Sequence, residues 1–385
     1  MIPRKISEKL HYFTKKYPIV TLTGPRQSGK STLLRNLFKD YTYISLEDPD
    51  LLLFAKEDPR LFLKKYNDKT IIDEAQKFPE LFSYLQTHVD TAGKEGMYIL
   101  SGSHNFLLME RISQSLAGRT AILKLLPFSY TELSDAQIQE KSLYKTIHKG
   151  FYPRIFDKDL FPDEFYPFYI QTYIEKDVRL FKNISDLQLF IRFLKMCAGR
   201  IGQLVNLSSL ANECGISQPT AKAWLSILES SYVVYLLKPY YKNFNKRLTK
   251  SPKLYFYDTG LACSLLGIQS EDDLLTHFMK GPLFENLLII DLIKKALNES
   301  TEPNLYFWRD HVGNELDLLI EKGSTFEVVE FKSATTYTPD FFKVFSYWEN
   351  LTGSGKENMK VVYGGEDSMQ TKHGALVSWK DFLLS

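Results

Sequence analysis

The chain has 385 residues, which is long enough for two to four domains at about 100–200 residues each. With 44% hydrophobic residues and a net charge of +2 it has an ordinary globular composition and is not basic overall, although a local basic patch can still bind nucleic acid. Its three scattered cysteines exclude a disulfide framework and a CxxC zinc site. The sequence has no signal-like apolar N-terminus and no run of about 18 apolar residues, so we expect a cytoplasmic protein without a membrane span.

The first part of the chain alternates short apolar runs with amphipathic segments. Residues 17–23 (YPIVTLT) predict a buried strand, and a glycine-rich turn joins it to a helix from about Lys30 to Phe38. Further strands are predicted at residues 41–46, 70–72, 97–100 and 121–126. Strands that alternate with helices form a parallel sheet covered on both faces. We therefore predict an α/β domain over residues 1–135.

The glycine-rich turn at residues 24–31 (GPRQSGKS) matches the phosphate-binding pattern G-x-x-x-x-G-K-[ST]. Glycines let backbone N–H groups point at phosphate oxygens, and the following helix directs its positive end at them. We expect Lys30 to reach the β and γ phosphates and Ser31 to hold Mg²⁺. A strand before the loop and a helix after it argue against a chance match. The predicted nucleotide-binding residues are Gly24, Pro25, Arg26, Gln27, Ser28, Gly29, Lys30, Ser31 and Thr32.

The acidic partner of this loop is predicted at residues 70–74 (TIIDE), a short apolar strand that ends in two acids. We expect Asp73 to join the Mg²⁺ shell and Glu74 to act as the general base for the attacking water. Ser103, after the strand at residues 97–100, is the candidate for a hydrogen bond to the γ-phosphate or the water. The sequence has no NKxD motif for guanine, so ATP and Mg²⁺ are the predicted cofactors. The alternative is that the two acids are merely a polar strand end.

The sequence LAGR at residues 116–119 offers a candidate arginine finger. Arg119 could neutralise transition-state charge in its own subunit or from a neighbouring one, and the second arrangement requires a homo-oligomer. The alternative is a surface arginine that caps a helix end after Gly118. Both interpretations stay open at this point.

Residues 136–195 are predicted to be a helical connector or lid, and residues 196–266 a winged helix-turn-helix domain. A helix at residues 207–211, a turn capped by Ser217, a second helix at residues 218–229 and a strand at residues 232–237 carry this prediction. The next segment, residues 238–253 (KPYYKNFNKRLTKSPK), has six cations and no acid, as in a wing that contacts DNA phosphates. The alternative is a packing module with a solvated basic hairpin. The predicted DNA-binding residues are Lys238, Lys242, Lys246, Arg247, Lys250 and Lys253.

After a predicted linker at residues 267–273, residues 274–385 resemble a nuclease-like arrangement. A helix carries Glu285, and a strand hairpin carries Asp317, Glu330 and Lys332. Glu330 and Lys332 share one face of their strand, and two acids with a lysine can hold Mg²⁺ and orient water for phosphodiester attack. The pattern is typical of PD-(D/E)xK nucleases and predicts a restriction-endonuclease-like α/β domain with Asp317 and Glu330 as metal ligands. The alternative is a polar strand face with an ordinary Glu–Lys pair.

Taken in order, these segments resemble AAA-type ATPases that combine an N-terminal AAA domain with a C-terminal DUF4143 domain. The likeness lies in GPRQSGKS, SLED, IIDEAQ, LSGSHNF, LAGR, PFSYTEL, YIEKDVR, KSPKLYFYDTGL and GNELDLLIE followed by VVEFKSA. The resemblance implies a winged helix in the middle and a restriction-endonuclease-like fold at the end. It also implies that Lys30, Ser31, Asp73 and Glu74 form the ATP site, and it maps a family glycine-arginine pair onto Gly118-Arg119.

Three functions agree with the sequence. The first is an ATP-driven enzyme that binds and cleaves DNA. The second is an ATP-switched DNA-binding regulator whose C-terminal domain does not cut, and the third is an ATPase whose partner is another protein. The basic segment 238–253 favours the first two, and the intact Asp317, Glu330 and Lys332 favour the first over the second.

Overall fold

The structure is a computed structural model, and it describes residues 2–103, 115–174, 186–240, 250–323, 325–353 and 358–385. Parts of two motifs, the end of LSGSHNF and most of YIEKDVR, lie outside the described residues.

A five-stranded parallel sheet organises the first part of the chain, as predicted. Its spatial order is β2-β3-β4-β1-β5, and every pairing is parallel. The strands are β1 Ile19–Thr23, β2 Thr42–Ser45, β3 Thr70–Asp73, β4 Tyr98–Gly102 and β5 Thr120–Lys124. The helices around them are α1 Ser7–Thr14, α2 Lys30–Leu37, α3 Pro49–Glu57, α4 Pro59–Lys65 and α5 Leu81–Ala92.

Alternating side chains of this sheet build two hydrophobic cores. Ile19, Ile72 and Leu100 point into one cluster, while Val20 and Ile99 point into another on the opposite face. β1, β3 and β4 are buried along their whole length, as expected for central parallel strands. Because parallel strands end at the same edge, the loop after β1 and the end of β3 come together there.

The middle of the chain is helical and ends in a two-stranded antiparallel hairpin. The helices are α6 Tyr130–Asp135, α7 Leu143–Lys149, α8 Pro153–Lys158, α9 Pro162–Tyr169, α10 Leu187–Ala198, α11 Leu207–Cys214 and α12 Gln218–Ser230. The hairpin strands are β6 Val234–Leu237 and β7 Lys253–Phe256. The predicted helix-turn-helix is therefore present as α11, a turn at Gly215 and α12, which Ser217 caps.

The helical connector does not stand apart from a core. Phe151, Tyr152 and Tyr166 belong to one large hydrophobic cluster that also contains helices of the middle and C-terminal parts. The predicted linker is shorter than expected, since α14, Glu271–Thr276, begins inside it with a Ser270–Asp273 capping box after α13, Thr259–Leu266.

The C-terminal part is a mixed six-stranded sheet of order β12-β13-β11-β10-β9-β8 with helices against it. The strands are β8 Leu305–Arg309, β9 Glu315–Lys322, β10 Thr325–Lys332, β11 Met359–Tyr363, β12 Met369–Thr371 and β13 Gly374–Ser378. The helices are α15 Lys280–Asn298, α16 Lys343–Thr352 and α17 Trp379–Leu384. The β9–β10 register that pairs Leu318 with Val329 brings Asp317 near Glu330, as the hairpin prediction requires.

Candidate nucleotide site and nuclease-like site

Two glycines give the loop after β1 its shape. Gly24 has φ +151°, and a Cβ at this position would lie 2.0 Å from the Leu125 carbonyl oxygen. Gly29 has φ +93° and stands directly before α2. Residues with a side chain adopt these conformations only with strain, so the backbone of the loop requires glycine at both positions.

The lysine of the loop is held at the loop itself. The Lys30 ammonium donates hydrogen bonds to the carbonyl oxygens of Gly24 at 2.9 Å and Pro25 at 2.8 Å. The side chain is buried, and it lies at the N-terminal end of α2. A bound triphosphate would meet both this ammonium and the positive end of the helix.

Asp73 is the centre of the predicted magnesium site. The Ser31 hydroxyl donates to its Oδ2 at 2.6 Å, and the Tyr43 hydroxyl donates to the same oxygen at 2.5 Å. The Ser101 hydroxyl donates to Oδ1. A serine hydroxyl beside an aspartate carboxylate is a donor set that fits Mg²⁺, which prefers oxygen ligands. In the described parts of the chain, no three His, Cys, Asp or Glu side chains are grouped so that they could hold a metal ion.

Tyr43 and Ser101 were missed by the sequence analysis, which selected Ser103. Ser103 is buried just beyond β4, and the residues after it lie outside the described part of the chain. Ser101 belongs to the same Ser-Gly-Ser motif, so the motif was informative even though it did not identify the contact to Asp73.

Glu74, the predicted base, has an unusual backbone. Its φ of 53° and ψ of 41° are left-handed, a conformation that costs energy for a residue with a side chain. The amide of Gln76 donates a hydrogen bond to the Glu74 carboxylate and so orients it. The sequence IIDEAQ contains this glutamine, but a positioning role for it was not predicted.

In the C-terminal sheet, the acidic residues surround a lysine from the middle of the chain. The Lys253 ammonium lies 3.1 Å from Glu285, 2.5 Å from Glu315 and 3.9 Å from Asp317. Its side chain is only 2% exposed. Burial lowers the pKa of Lys253, but the three carboxylates outweigh this effect and raise it overall. Lys253 was predicted to contact DNA, and this prediction is wrong because the side chain faces inward to the carboxylates.

Glu330 and Lys332 lie beside this group. Lys332 donates to Glu330 Oε1 at 2.7 Å, while Glu330 Oε2 is buried without a hydrogen-bond partner among the described residues. Asp317 Oδ2 accepts a hydrogen bond from the Phe331 N–H at 2.9 Å. Burial and the neighbouring Asp317 raise the pKa of Glu330. The structure thus brings together all four predicted nuclease-like residues and adds Glu315 and Lys253.

Three family models match successive parts of this chain. Family models match an AAA domain at residues 16–134, a domain of unknown function (DUF8612) at 140–272 and a domain of unknown function (DUF4143) at 280–382. An uncharacterized protein of Mycobacterium tuberculosis is 30% identical over 368 residues, which cover 94% of this chain and 80% of the relative. The chain belongs to the AAA-type P-loop ATPase family with a C-terminal DUF4143 domain.

Other matches are more distant. An uncharacterized protein of Haemophilus influenzae is 22% identical over 387 residues, covering 90% of this chain and 92% of the relative. Among solved structures, a Walker-type ATPase of Pyrococcus abyssi is 15% identical with a TM-score of 0.47, covering 69% of this chain and 96% of that one. Within the described ranges, no helix has both the length and the apolar character needed to cross a membrane.

Arg119 of the ATPase lies at the edge of the sheet opposite the phosphate loop. Its carbonyl oxygen accepts a hydrogen bond from the N–H of Ile19, where β1 begins, and the loop follows the end of β1, about 16 Å further on. The guanidinium binds Asp90 at 2.6 and 2.8 Å and lowers the pKa of that carboxyl. Arg119 therefore does not reach its own subunit's nucleotide site, and only action from a neighbouring subunit remains of the finger hypothesis.

Two contacts that the sequence did not predict connect the loop to other parts of the ATPase. Arg4 is buried and donates to the Ser28 carbonyl oxygen at 2.9 Å and to Glu132 at 3.0 Å. The Thr23 and Tyr232 hydroxyls form a hydrogen bond of 2.7 Å, which joins the end of β1 to the turn between α12 and β6. The Arg4–Glu132 and Thr23–Tyr232 contacts join residues that are 128 and 209 positions apart in the sequence, so local patterns contain no signal for them.

The connector helices also border the loop. A cavity of about 310 Å³ is lined by Gln27 of the loop and by Arg154, Glu164, Phe165 and Phe168 of α8 and α9. A Cβ built at Gly29 would lie 3.9 Å from Pro153. Helix α8, which belongs to the predicted connector or lid, therefore lies next to the loop.

The remaining predicted DNA-binding residues are only partly described. Lys238 and Lys250 are exposed on either side of the β6–β7 connection, whereas Lys242, Lys246 and Arg247 lie outside the described residues. On α12, Lys222 is the one exposed cation, so this helix offers little charge for base reading.

Proposed function

We propose that the chain binds Mg-ATP at the loop between β1 and α2 and hydrolyses it. The observation that supports this most directly is the 2.6 Å hydrogen bond between Ser31 and Asp73, which joins the end of the phosphate loop to the acidic end of β3. A serine hydroxyl and a carboxylate at this place form a magnesium site next to the phosphates.

Each side chain has a defined task in this mechanism. Lys30 neutralises the phosphate charge that grows as the terminal bond breaks, and Asp73 with Ser31 holds the metal shell. Magnesium, when bound, polarises the phosphoryl oxygens. Glu74, fixed by Gln76, orients the attacking water and accepts its proton.

Nucleotide binding and phosphate release of Lys30→Ala test this proposal. We expect both to be lost, because the alanine removes the ammonium that donates to the loop carbonyls of Gly24 and Pro25. Lys39→Ala, which changes an exposed lysine just after α2, is the matched control and should behave as wild type. Equal ATP affinity in Lys30→Ala and wild type would refute the assignment of the site.

We further propose that the middle of the chain binds DNA. The α11–α12 pair, the exposed Lys238 and Lys250 and the basic composition of residues 238–253 support this interpretation. Lys253 is not part of this proposal, because its side chain is buried. If the triple variant Lys246→Ala, Arg247→Ala, Lys250→Ala binds duplex DNA with unchanged affinity and salt dependence, the partner is instead another protein.

Between DNA cleavage and an ATP-switched regulator, the position of Lys253 favours the regulator in the conformation described. Its ammonium already offsets the charge of Glu285 and Asp317, two of the nuclease-like carboxylates. Incubation of wild type with Mg²⁺ or Mn²⁺ and plasmid DNA should give no cleavage products above those of Asp317→Ala. Cleavage that depends on Asp317 would support the nuclease instead.

We also propose a cellular location and an assembly state for the protein. The protein acts in the cytoplasm, which three free, buried cysteines support. It assembles with copies of itself if Arg119 serves a neighbouring ATP site, because the cis arrangement is excluded by its place at the opposite edge of the sheet.

A further inference from the structure

Arg4 is a buried cation from the N-terminal segment that contacts the phosphate loop. It stands before α1 and is only 7% exposed. Its guanidinium donates at 2.9 Å to the carbonyl oxygen of Ser28 and at 2.7 Å to the carbonyl oxygen of Leu126, and it pairs with Glu132 at 3.0 Å. These acceptors belong to the loop, to the chain just after β5 and to α6. One side chain therefore fixes the loop to two other elements.

The carboxylate of Glu132 holds the guanidinium of Arg4 in place. Its Oε1 also accepts a hydrogen bond from the N–H of Lys5 at 2.9 Å, and its Oε2 accepts one from the N–H of Ser129 at 2.9 Å. The side chains of Arg4 and Glu132 are 5% and 1% exposed. A guanidinium is planar, with its N–H donors in a fixed fork, so the pairing with Glu132 directs the remaining donors at the two carbonyl groups.

The contact to Ser28 fixes the direction of the next backbone N–H. A trans peptide is planar, and its C=O and N–H point in opposite directions. Because the Ser28 carbonyl points at Arg4, the N–H of the same peptide, which belongs to Gly29, points away from Arg4. Gly29 stands directly before α2, where backbone N–H groups meet phosphates. A charged donor on the carbonyl also polarises the peptide and strengthens its N–H as a donor.

The surroundings of this peptide restrict it on both sides. The Ser28 side chain is fully buried, and its hydroxyl donates to the carbonyl oxygen of Pro25 at 2.9 Å. A Cβ at Gly29 would lie 3.9 Å from Nη1 of Arg4. The Pro25 carbonyl accepts from Lys30, which belongs to the loop, whereas the Ser28 carbonyl accepts from a residue outside it. Arg4 therefore supplies the loop with a support from another element.

We propose that Arg4 is a positioning residue of the nucleotide site, which aims the Gly29 N–H at a bound phosphate by holding the Ser28 carbonyl. The ligand is a diphosphate or triphosphate chain, and Arg4 acts on its binding without touching it. This inference rests on the proposed nucleotide site between β1 and α2. It adds to that site a residue from the N-terminal segment, outside the phosphate-loop motif.

The test is the affinity of the full chain for ADP and for tripolyphosphate, both measured by calorimetry. Arg4→Lys keeps a positive charge beside Glu132 but lacks the planar fork that serves two carbonyls and a carboxylate together. We expect both affinities to fall by about tenfold, the size of one hydrogen bond to a charged group. Arg60→Lys, which changes an exposed arginine of α4, is the matched control and should bind both ligands as wild type does.

Glu132→Gln separates positioning from simple packing. It removes the negative partner of the ion pair and leaves Arg4 its donors to the Ser28 and Leu126 carbonyls. Its affinities for ADP and tripolyphosphate should therefore stay close to those of wild type, even where urea unfolding shows a loss of stability. A role of Arg4 in stability alone would instead lower the urea midpoint of the Arg4 variant and leave its affinities unchanged.

Both members of the ion pair are buried, so a variant of Arg4 alone could be too unstable to purify. Arg4→Gln combined with Glu132→Gln removes one positive and one negative group and still takes the guanidinium from the Ser28 carbonyl. This double variant should show the same loss of both affinities relative to Glu132→Gln alone. Circular dichroism reports whether each variant is folded.

Each contrary outcome has its own meaning. Equal affinities in wild type and a folded Arg4 variant would overturn the positioning role and leave the nucleotide site intact. A loss for ADP with unchanged tripolyphosphate affinity would also overturn it, because Arg4 would then act on the nucleoside. An equal loss in Glu132→Gln would mean that the ion pair as a whole, and not the contact to Ser28, shapes the site. If wild type binds neither ligand, the proposed nucleotide site fails together with this inference.

Discussion

The two acidic sites of the molecule differ in what surrounds their carboxylates. Asp73 receives hydrogen bonds from the hydroxyls of Ser31, Ser101 and Tyr43. In the C-terminal sheet, Glu285, Glu315 and Asp317 instead surround the ammonium of Lys253. The hydroxyl donors leave the negative charge of Asp73 available to a metal ion. The Lys253 ammonium instead neutralises the carboxylates around it. The same residue types therefore form an open site at Asp73 and a closed one at Lys253, depending on which neighbour the fold supplies.

The largest expected effect is at the open site. Asp73→Asn removes the charge that Ser31 and the metal share, so we expect ATP hydrolysis to fall by about 100-fold or more. Phosphate release at saturating Mg-ATP measures it. Asp40→Asn, which changes an exposed acid between α2 and β2, is the control. Activity near wild type in Asp73→Asn would mean that the sheet edge is not the metal site.

The next effect sharpens the contrast at the closed site. Lys253→Ala leaves buried carboxylates without their cation, and removal of one partner of a buried ion pair costs about 3–5 kcal/mol. Urea unfolding followed by circular dichroism should show this loss. Lys250→Ala should stay within about 0.5 kcal/mol of wild type because it is exposed. If Lys253→Ala lowers the free energy of unfolding no more than Lys250→Ala does, the ion pairs do not hold the middle and C-terminal parts together.

A smaller, pH-dependent effect follows from Glu330. Its pKa is raised above the ordinary value of 4.5 by burial and by Asp317, so the folded chain keeps a proton that the unfolded chain releases. The free energy of unfolding should therefore decrease as the pH rises above about 4.5, and Glu330→Gln should reduce that decrease. Urea unfolding at about pH 5 and about pH 8 measures the difference.

Glu302→Gln, an exposed acid before β8, is the control for this pH dependence. It should keep the wild-type slope. An identical slope in Glu330→Gln would show that Glu330 is ionised in the folded chain.

The smallest effect on the isolated subunit is expected from Arg119→Ala. The Arg119–Asp90 pair is solvent-exposed, so its loss should leave the unfolding midpoint close to wild type. If Arg119 acts on a neighbouring subunit, phosphate release should fall and should recover when Arg119→Ala and Glu74→Gln chains are mixed. Full activity of Arg119→Ala at every protein concentration would remove the finger hypothesis.

The residues of the open site have local sequence signals. Gly24, Gly29, Lys30 and Ser31 lie in one motif, and Asp73 follows an apolar strand that could be recognised by itself. Tyr43 and Arg4 were not predictable, because their contacts depend on how distant elements pack. The parallel sheet was predictable from alternation, but its order was set by packing that short patterns do not encode.

The closed site shows where sequence interpretation failed. Lys253 was grouped with the cations of residues 238–253 because charge runs normally face solvent. Its neighbours Leu254, Tyr255 and Phe256 are apolar or aromatic and fully buried, which is the pattern of a core strand. Strand alternation would have placed Lys253 beside Tyr255, but the carboxylates that receive it lie more than 30 residues further along the chain.

Glu74→Gln provides the most direct test of the proposed ATP hydrolysis. This variant should keep ATP binding and lose most of its phosphate release. Equilibrium titration measures the binding, and a single-turnover assay measures the release. We predict wild-type ATP affinity, because the amide keeps the size of the side chain. Phosphate release should slow by about 100-fold or more, because the amide cannot accept a proton from water. Glu57→Gln, an exposed acid at the end of α3, should retain both. Phosphate release by Glu74→Gln at the wild-type rate would contradict the assignment of the base and, with it, the proposed hydrolytic mechanism.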